Sequence, residues 1–76
     1  MELTVLEQKI IDKLSFGEIP TYRRLSISKE EFLTTLEKLE SEDLLWFERI
    51  EEGVFKGESG EIHLKEKGRK LGKGFK

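Results

Sequence analysis

Apolar residues recur at spacings of three and four in two segments of this chain, which predicts two amphipathic helices. In the first segment, Thr4 and Glu7 have the spacing of a capping box, so a helix should begin there. Its buried stripe should consist of Leu3, Leu6, Ile10 and Leu14, with Ile11 on the flank. Gly17 should end this helix, because glycine tolerates the left-handed conformation that often follows a helix.

The second segment carries the clearest local signal in the chain. Ser28 and Glu31 form another capping-box pattern, which should start the third helix in chain order. The buried face of that helix should carry Phe32, Leu33, Leu36 and Leu39. Its outward positions are Glu30, Glu31, Thr34, Glu37, Lys38 and Ser41. We therefore expect an outer face that is acidic overall.

A proline separates these two helices. Pro20 biases the preceding residue toward extended backbone, so residues 18–20 are predicted to form a short edge strand. A brief second helix should cover residues 21–25, with a turn at 26–28 before the third helix.

After the third helix the pattern becomes that of a β-hairpin. Asp43 stands where a left-handed helix cap is expected, and residues 44–50 are rich in apolar and aromatic side chains. Strict alternation fails at Trp46 and Phe47, so one of these two rings should be partly exposed.

The return half of the hairpin is marked by glycines and by alternation. Residues 52–60 should form the loop, with room for a few extended residues at 54–56. Ile62 and Leu64 alternate with polar neighbours, as a half-buried strand requires. A short helix at 66–71 should follow, so that residues 1–71 form the domain and residues 72–76 a flexible basic tail.

The aromatic side chains have two competing interpretations. A domain of this size needs most of its large side chains inside, so Trp46 and Phe47 are expected mainly in the core. Tyr22 and Phe16 should close the core beside the second helix. Phe55 lies in the predicted loop and is the better candidate for an interface.

Composition limits the remaining possibilities. A chain of 76 residues without cysteine holds one domain stabilised mainly by apolar packing, and we expect it in the cytoplasm. It has no apolar run long enough to span a membrane. Charged residues make up 39% of the chain and Asn and Ala are absent, a composition typical of thermophiles.

Catalysis and metal binding are not expected. His63 is the sole histidine, and no second His or any Cys could complete a metal site with it, so we interpret it as a surface residue. No nucleophile has an evident basic partner, and a small domain without a deep pocket cannot easily desolvate paired carboxylates. We therefore expect neither an enzyme nor a cofactor.

Two short motifs resemble winged helix-turn-helix domains of small prokaryotic regulators, the MarR-like and PadR-like groups. Residues 36–45, Leu-Glu-Lys-Leu-Glu-Ser-Glu-Asp-Leu-Leu, resemble the end of their third helix and its tight cap. Residues 64–69, Leu-Lys-Glu-Lys-Gly-Arg, resemble their Leu-Thr-x-x-Gly-Arg exit from the wing. The resemblance implies an α+β winged helix-turn-helix fold, with a three-helix core, a β-hairpin wing and a short C-terminal helix.

The chain also departs from the family pattern. Asp43 replaces the usual cap glycine, and Lys65 replaces the usual threonine, so the last helix should lack a hydroxyl cap. The long helices through which such regulators dimerise do not follow the wing in this chain. Dimerisation by that route is therefore not expected.

The resemblance implies contact with double-stranded DNA in transcription regulation, through the third helix and the wing. The residues implicated are Ser28, Lys29, Thr34, Lys38 and Lys56. However, residues 28–61 hold four basic and eleven acidic side chains, and their net charge of −7 opposes phosphate binding. The usual DNA-binding face is therefore electrostatically unfavourable.

A second positive surface is the alternative. It comprises Arg23 and Arg24 together with Lys65, Lys67, Arg69, Lys70, Lys73 and Lys76. These charges equally fit a solvated surface that keeps a small domain soluble. Two other functions stay open: a protein-interaction module using the acidic third helix and exposed aromatics, and a homodimer formed through the first helix or the wing aromatics.

Overall fold

The structure is a computed structural model that describes residues 2–74. Over these residues it is a mixed α+β protein with four helices and one two-stranded antiparallel hairpin. The elements in chain order are α1 (Val5–Ser15), α2 (Tyr22–Leu25), α3 (Lys29–Ser41), β1 (Leu45–Arg49), β2 (Ser59–Leu64) and α4 (Glu66–Arg69). This order is compatible with a winged helix.

The start of α1 confirms the predicted capping box. The Glu7 amide donates to the Thr4 hydroxyl at 3.1 Å, and the Thr4 amide donates to the Glu7 carboxylate at 2.8 Å. These two bonds satisfy backbone donors that the first turn of a helix would otherwise leave free. The helix ends at Ser15, and Gly17 adopts a φ of 84° just beyond it.

Helix α3 begins and ends where the sequence predicts, but its capping box is half formed. The Ser28 hydroxyl accepts the Glu31 amide at 3.1 Å, while within residues 2–74 no return bond joins the Glu31 side chain to the Ser28 amide. At the other end, Asp43 has a φ of 64°, which confirms the left-handed cap.

The core lies between α1, α3 and the inner face of the hairpin. It consists of Ile10, Ile11, Phe32, Leu36, Leu39, Leu44, Leu45, Phe47 and Ile62. The apolar stripes predicted for both long helices are thus directed into it. Of the two neighbouring rings on β1, Phe47 is buried and Trp46 is 45% exposed, so one ring is exposed as the broken alternation predicts. The core role expected for Trp46 is therefore wrong.

The edge strand predicted at residues 18–20 is wrong. The sheet has two strands, and the backbone after α1 is committed elsewhere: the Gly17 amide donates to Leu14 at 3.1 Å and the Glu18 amide to Lys13 at 2.8 Å. Pro20 has no N–H to offer a neighbouring strand and is buried instead. The segment therefore stays attached to the end of α1 through Glu18 and does not join the sheet.

Of the two rings predicted to close the core beside α2, one packs there and the other does not. Tyr22 is half-buried, with its ring centre 6.4 Å from that of Phe32, as expected. Phe16 is 63% exposed, so its predicted core role is wrong. It is the C-cap residue of α1, where the chain turns away from the core.

The hairpin loop contains turns and no extended segment at 54–56. The Gly57 amide donates to the Ile50 carbonyl at 2.8 Å, and the Ile50 amide to the Glu58 carbonyl at 3.0 Å, so cross-strand pairing ends there. Phe55 is 63% exposed in this loop, in keeping with its prediction as an interface candidate.

The C-terminal segment consists of a short helix and a stretch that is hydrogen-bonded to α1. Helix α4 ends at Arg69 and lacks a side-chain cap at Lys65, as the missing threonine predicts. Beyond it, the Lys73 amide donates to the Asp12 carboxylate and the Gly74 amide to the Ser15 hydroxyl, both at 2.9 Å. These bonds attach residues 73 and 74 to α1, and residues 75 and 76 of the predicted flexible tail lie outside the described part.

Candidate nucleic-acid interface

Most of the predicted DNA-contacting residues fall into two groups at opposite ends of α3. Lys29 stands at its start, and the Lys29 ammonium lies 3.8 Å from where a Cβ on Gly57 would be, so the hairpin loop is beside it. Lys65 lies past its end, where the Lys65 amide donates to the Leu44 carbonyl at 3.0 Å. A helix of 13 residues spans about 20 Å. The two basic groups therefore cannot act as one small site.

At the first end, a groove of about 430 Å³ runs between α2, the start of α3 and the hairpin loop. The residues that line it include Tyr22, Arg23, Arg24, Lys29, Phe55 and Glu58. We call Arg23, Arg24 and Lys29, with the adjacent Lys56 of the loop, the loop-end group.

The cations of the loop-end group are available for a ligand. Within residues 2–74 no carboxylate oxygen lies within 4.0 Å of their charged nitrogens. The Arg23 guanidinium stands 5.7 Å from the centre of the Tyr22 ring, and the Tyr22 hydroxyl donates to Glu58 at 3.2 Å. Lys56 lines a neighbouring groove with Leu33 and Glu37.

The outer face of α3 is acidic, as predicted. Thr34 is exposed there on the same helix as the exposed carboxylates of Glu30 and Glu37. The guanidinium of Arg49 on β1 lies beside this face and is shared between Glu37 at 3.8 Å and Glu40 at 3.4 Å. A phosphate approaching this face would meet carboxylates first.

Lys38, which was predicted to contact DNA, forms a salt bridge with another residue of the protein. Its ammonium lies 3.1 Å from the carboxylate of Glu7, whose side chain is only 3% exposed. Burial by itself would raise the pKa of Glu7, but the hydrogen bond from the Thr4 amide and the Lys38 ammonium outweigh it and lower that pKa. Lys38 thus joins α3 to α1. Ser28 is also engaged, since its hydroxyl caps α3.

At the other end, most cations of the C-terminal group also contact acceptors of the protein itself. This group consists of Lys65, Lys67, Arg69 and Lys70. Lys65 donates to Asp43 at 2.7 Å and so lowers the pKa of that carboxyl. Lys67 donates to the backbone carbonyl of Glu42 at 3.4 Å, and Lys70 lies 3.9 Å from Glu66. Within residues 2–74, Arg69 alone of this group has neither a carboxylate nor a carbonyl partner of this kind. The group mainly attaches the C-terminal segment to the end of α3.

The sequence reasoning missed two cations on α1. Lys9 and Lys13 line a groove with Arg24, and within residues 2–74 neither lies within 4.0 Å of a carboxylate oxygen. Their spacing of four residues on the polar side of a helix was visible, but their closeness to α2 was not. They extend the positive surface from α2 onto α1, although Asp12 and Glu18 line the same groove.

His63 is exposed, as predicted, and it stacks on Trp46 with ring centres 5.6 Å apart and planes inclined by 22°. Residues 2–74 contain no group of three or more His, Cys, Asp or Glu side chains that could hold a metal ion. Of the helices in the same range, none has the length and apolarity needed to cross a bilayer.

Comparisons of the chain with models of protein families, with curated proteins and with solved structures found no match. Support for a function therefore comes from the charge and geometry of the surface.

Proposed function

We propose that the protein is a small winged helix-turn-helix protein that binds double-stranded DNA and acts in transcription. The order of its helices and hairpin supports this assignment, and one observation carries it. The cations around the loop-end groove have no carboxylate partner within residues 2–74, whereas Lys38, Lys65 and Lys70 do.

Unpaired cations favour DNA binding for a thermodynamic reason. A cation that neutralises a phosphate releases condensed counterions, and this gain is reduced when the cation must first leave a carboxylate of its own protein. Arg23 and Arg24 on α2 and Lys29 at the start of α3 face one groove, where a phosphodiester backbone would meet all three. Lys9 and Lys13 lie close enough to extend that contact.

The acidic outer face of α3 limits the sequence selectivity of such binding. Contacts to phosphates position a protein on the duplex, whereas contacts to base edges select a sequence. Glu30 and Glu37 make α3 a poor element to insert between two phosphate strands. The proposed mode is therefore backbone binding through α2, the start of α3 and Lys56 of the loop, with weak sequence selectivity.

Titration of a fluorescently labelled duplex across a salt series tests this proposal. For B-DNA, the logarithm of affinity falls with the logarithm of salt by about 0.9 per neutralised phosphate. Arg23→Ala combined with Arg24→Ala should lower this slope by about 2. Lys67→Ala combined with Lys70→Ala removes the same charge from engaged residues and should change it much less.

Two results would contradict the proposal. One is the absence of duplex binding at low salt by the folded wild-type protein, with folding checked by circular dichroism. The other is an equal loss of affinity in the two double variants, which would show that net charge alone governs binding.

A protein-interaction module is the second candidate, and the exposed side chains around the loop-end groove favour it. Phe55 is exposed at the hairpin loop, and Ile19 is 64% exposed on the opposite wall of the groove. Exposed apolar side chains beside charged rims are typical of interfaces. A failed duplex titration would favour this function, and light scattering against the chain mass of 8.9 kDa would detect the homodimer.

A further inference from the structure

The outer face of the hairpin carries an aromatic and acidic surface that is separate from the loop-end groove. Side chains alternate along β1, so Phe47 points into the core while Trp46 and Glu48 are exposed. On β2, Ile62 is buried and Glu61 and His63 are exposed. We call Trp46, Glu48, Glu61 and His63 the outer hairpin surface.

The two rings of this surface form a flat platform. Trp46 and His63 are directly paired across the strands, and their rings stack with an inclination of 22°. Trp46 is 45% exposed although it has the largest side chain in the protein and only 36% of the residues are hydrophobic. A core role would have hidden it, so its exposure leaves an aromatic surface available to a ligand.

Two exposed carboxylates, Glu48 on β1 and Glu61 on β2, lie beside this platform. The register shifts between Phe47 and Arg49, which places Glu48 against Gly60 and beside Glu61. Within residues 2–74, Glu48 has no cation within 4.0 Å, and the charged neighbour of Glu61 is the His63 ring at 3.3 Å. Like charges facing each other across two strands destabilise a hairpin. A bound cation would remove that cost.

The charge of the whole hairpin identifies the occupant. Residues 44–64 hold five acidic and two basic side chains, and their net charge of −3 favours a cationic ligand on the outer hairpin surface. Arg49 is already held by Glu37 and Glu40 and cannot neutralise the outer hairpin surface. The ligand that fits this surface is therefore a cation from outside the protein with a planar face that can stack on the Trp46 indole.

We propose that the outer hairpin surface binds an arginine-bearing segment of a partner protein. The guanidinium lies flat on the Trp46 indole and donates hydrogen bonds to Glu48 and Glu61. Arginine fits better than lysine because its planar fork can stack on a ring and donate to two carboxylates at once. This binding does not require DNA and uses none of the loop-end group.

Trp46 is the sole tryptophan, so its fluorescence reports directly on this surface. The probe is a capped peptide of alternating glycine and arginine, compared with peptides of the same length in which lysine or citrulline replaces arginine. The arginine peptide should change the fluorescence and saturate, the lysine peptide should bind several-fold more weakly, and the uncharged citrulline peptide should not bind.

A matched pair of variants separates a specific site from general acidity. Glu48→Gln combined with Glu61→Gln should weaken the arginine peptide by about tenfold or more, since two charge-assisted hydrogen bonds are lost. Glu30→Gln combined with Glu37→Gln makes the same charge change on α3 and should alter affinity by less than about twofold. The first pair should also raise the melting temperature of the free protein, because it removes two like charges from neighbouring strands.

Several results would overturn the inference. If both pairs of variants weaken binding equally, net charge alone governs it. If the lysine and arginine peptides bind equally well, stacking on Trp46 does not contribute. Peptide binding that survives Glu48→Gln and Glu61→Gln would remove the role of the carboxylates. A mass that doubles with concentration, and returns to 8.9 kDa in the Glu48→Gln and Glu61→Gln variant, would show that a second copy occupies the surface.

Discussion

The loop-end group and the C-terminal group both consist of exposed basic side chains, but they differ in their partners. The C-terminal group is one run of the sequence, whereas the loop-end group combines residues 23–29 with Lys56 of the hairpin loop. The loop-end cations stand around an open groove without carboxylate partners, within the described residues. Most C-terminal cations bind Asp43, Glu42 or Glu66. The number of positive charges in a segment therefore does not show how many are available to a ligand.

The two ends of α3 explain this difference. The chain returns from the hairpin to the C-terminal end of α3, where exposed carbonyls carry partial negative charge and Asp43 adds a full charge. Cations arriving there are neutralised and hold α4 in place. The loop-end group lies at the opposite end of the helix, where the backbone carries partial positive charge. Its cations consequently face solvent or a ligand.

The largest test of this comparison is Gly68→Ala, which probes whether the C-terminal segment is structural. Gly68 is buried, and a Cβ there would collide with the carbonyl oxygen of Leu44. We expect a loss of about 3 kcal/mol in the free energy of unfolding by urea. Lys67→Ala, one residue away but exposed, should change it by less than about 0.5 kcal/mol. Equal effects would mean that the segment is not packed as described.

Lys38→Met tests a paired cation against an unpaired one on the same helix. Removing Lys38 leaves the buried Glu7 carboxylate without its partner, at an expected cost of about 2 kcal/mol, below the range for fully buried pairs because Lys38 is half exposed. Lys29→Met removes an unpaired cation of α3 and should cost less than about 0.5 kcal/mol. Urea denaturation of both variants measures the difference, and similar losses would contradict the assignment of Lys38 as structural.

The acid dependence of stability gives a second view of the same ion pair. The folded-state pKa of Glu7 is lowered below its ordinary value of 4.5, so the folded state favours the ionised carboxylate. The resulting stabilisation is complete above pH 4.5 and is lost as pH falls through the folded-state pKa. Its slope cannot exceed about 1.4 kcal/mol per pH unit, the limit for one proton. The variant Glu7→Gln should therefore show a shallower loss in acid, and an unchanged slope would refute this.

The smallest expected effect concerns Ser28, the exception within the loop end. Its hydroxyl caps α3, so Ser28→Ala should cost about 1 kcal/mol in thermal or urea unfolding. Ser28→Asp preserves the cap and should restore stability while placing a negative charge beside the loop-end group. If Ser28 serves only the helix, the alanine variant will keep its salt slope for duplex binding. A reduced slope would instead add Ser28 to the DNA contacts.

Local patterns predicted most of the elements because their causes are local. The Thr4 and Glu7 capping box, the left-handed Asp43 and the alternation at Ile62 depend on residues within four positions of each other. The strand prediction at residues 18–20 was wrong for a reason that the pattern of apolar residues does not show. The Glu18 amide is bonded to Lys13 at the end of α1, and Pro20 has no N–H to donate.

The candidate site was less predictable, since it depends on contacts between distant parts of the chain. Lys38 appeared to be an outward cation, and only the packing of α3 against α1 revealed Glu7 as its partner. Lys9 and Lys13 gave no signal of function until α2 was placed beside them. Gly68 stands in the segment that resembles the winged helix exit from the wing, and the close approach of the Leu44 carbonyl gives a physical reason for a glycine there.

By itself the sequence determined where helices begin and end, which faces are apolar and where a hairpin turns, because spacing and backbone preference act over a few residues. Tertiary structure decided which charges are paired. A salt bridge requires two side chains to meet within about 4 Å, and residues 31 positions apart, such as Glu7 and Lys38, meet only once the core has packed.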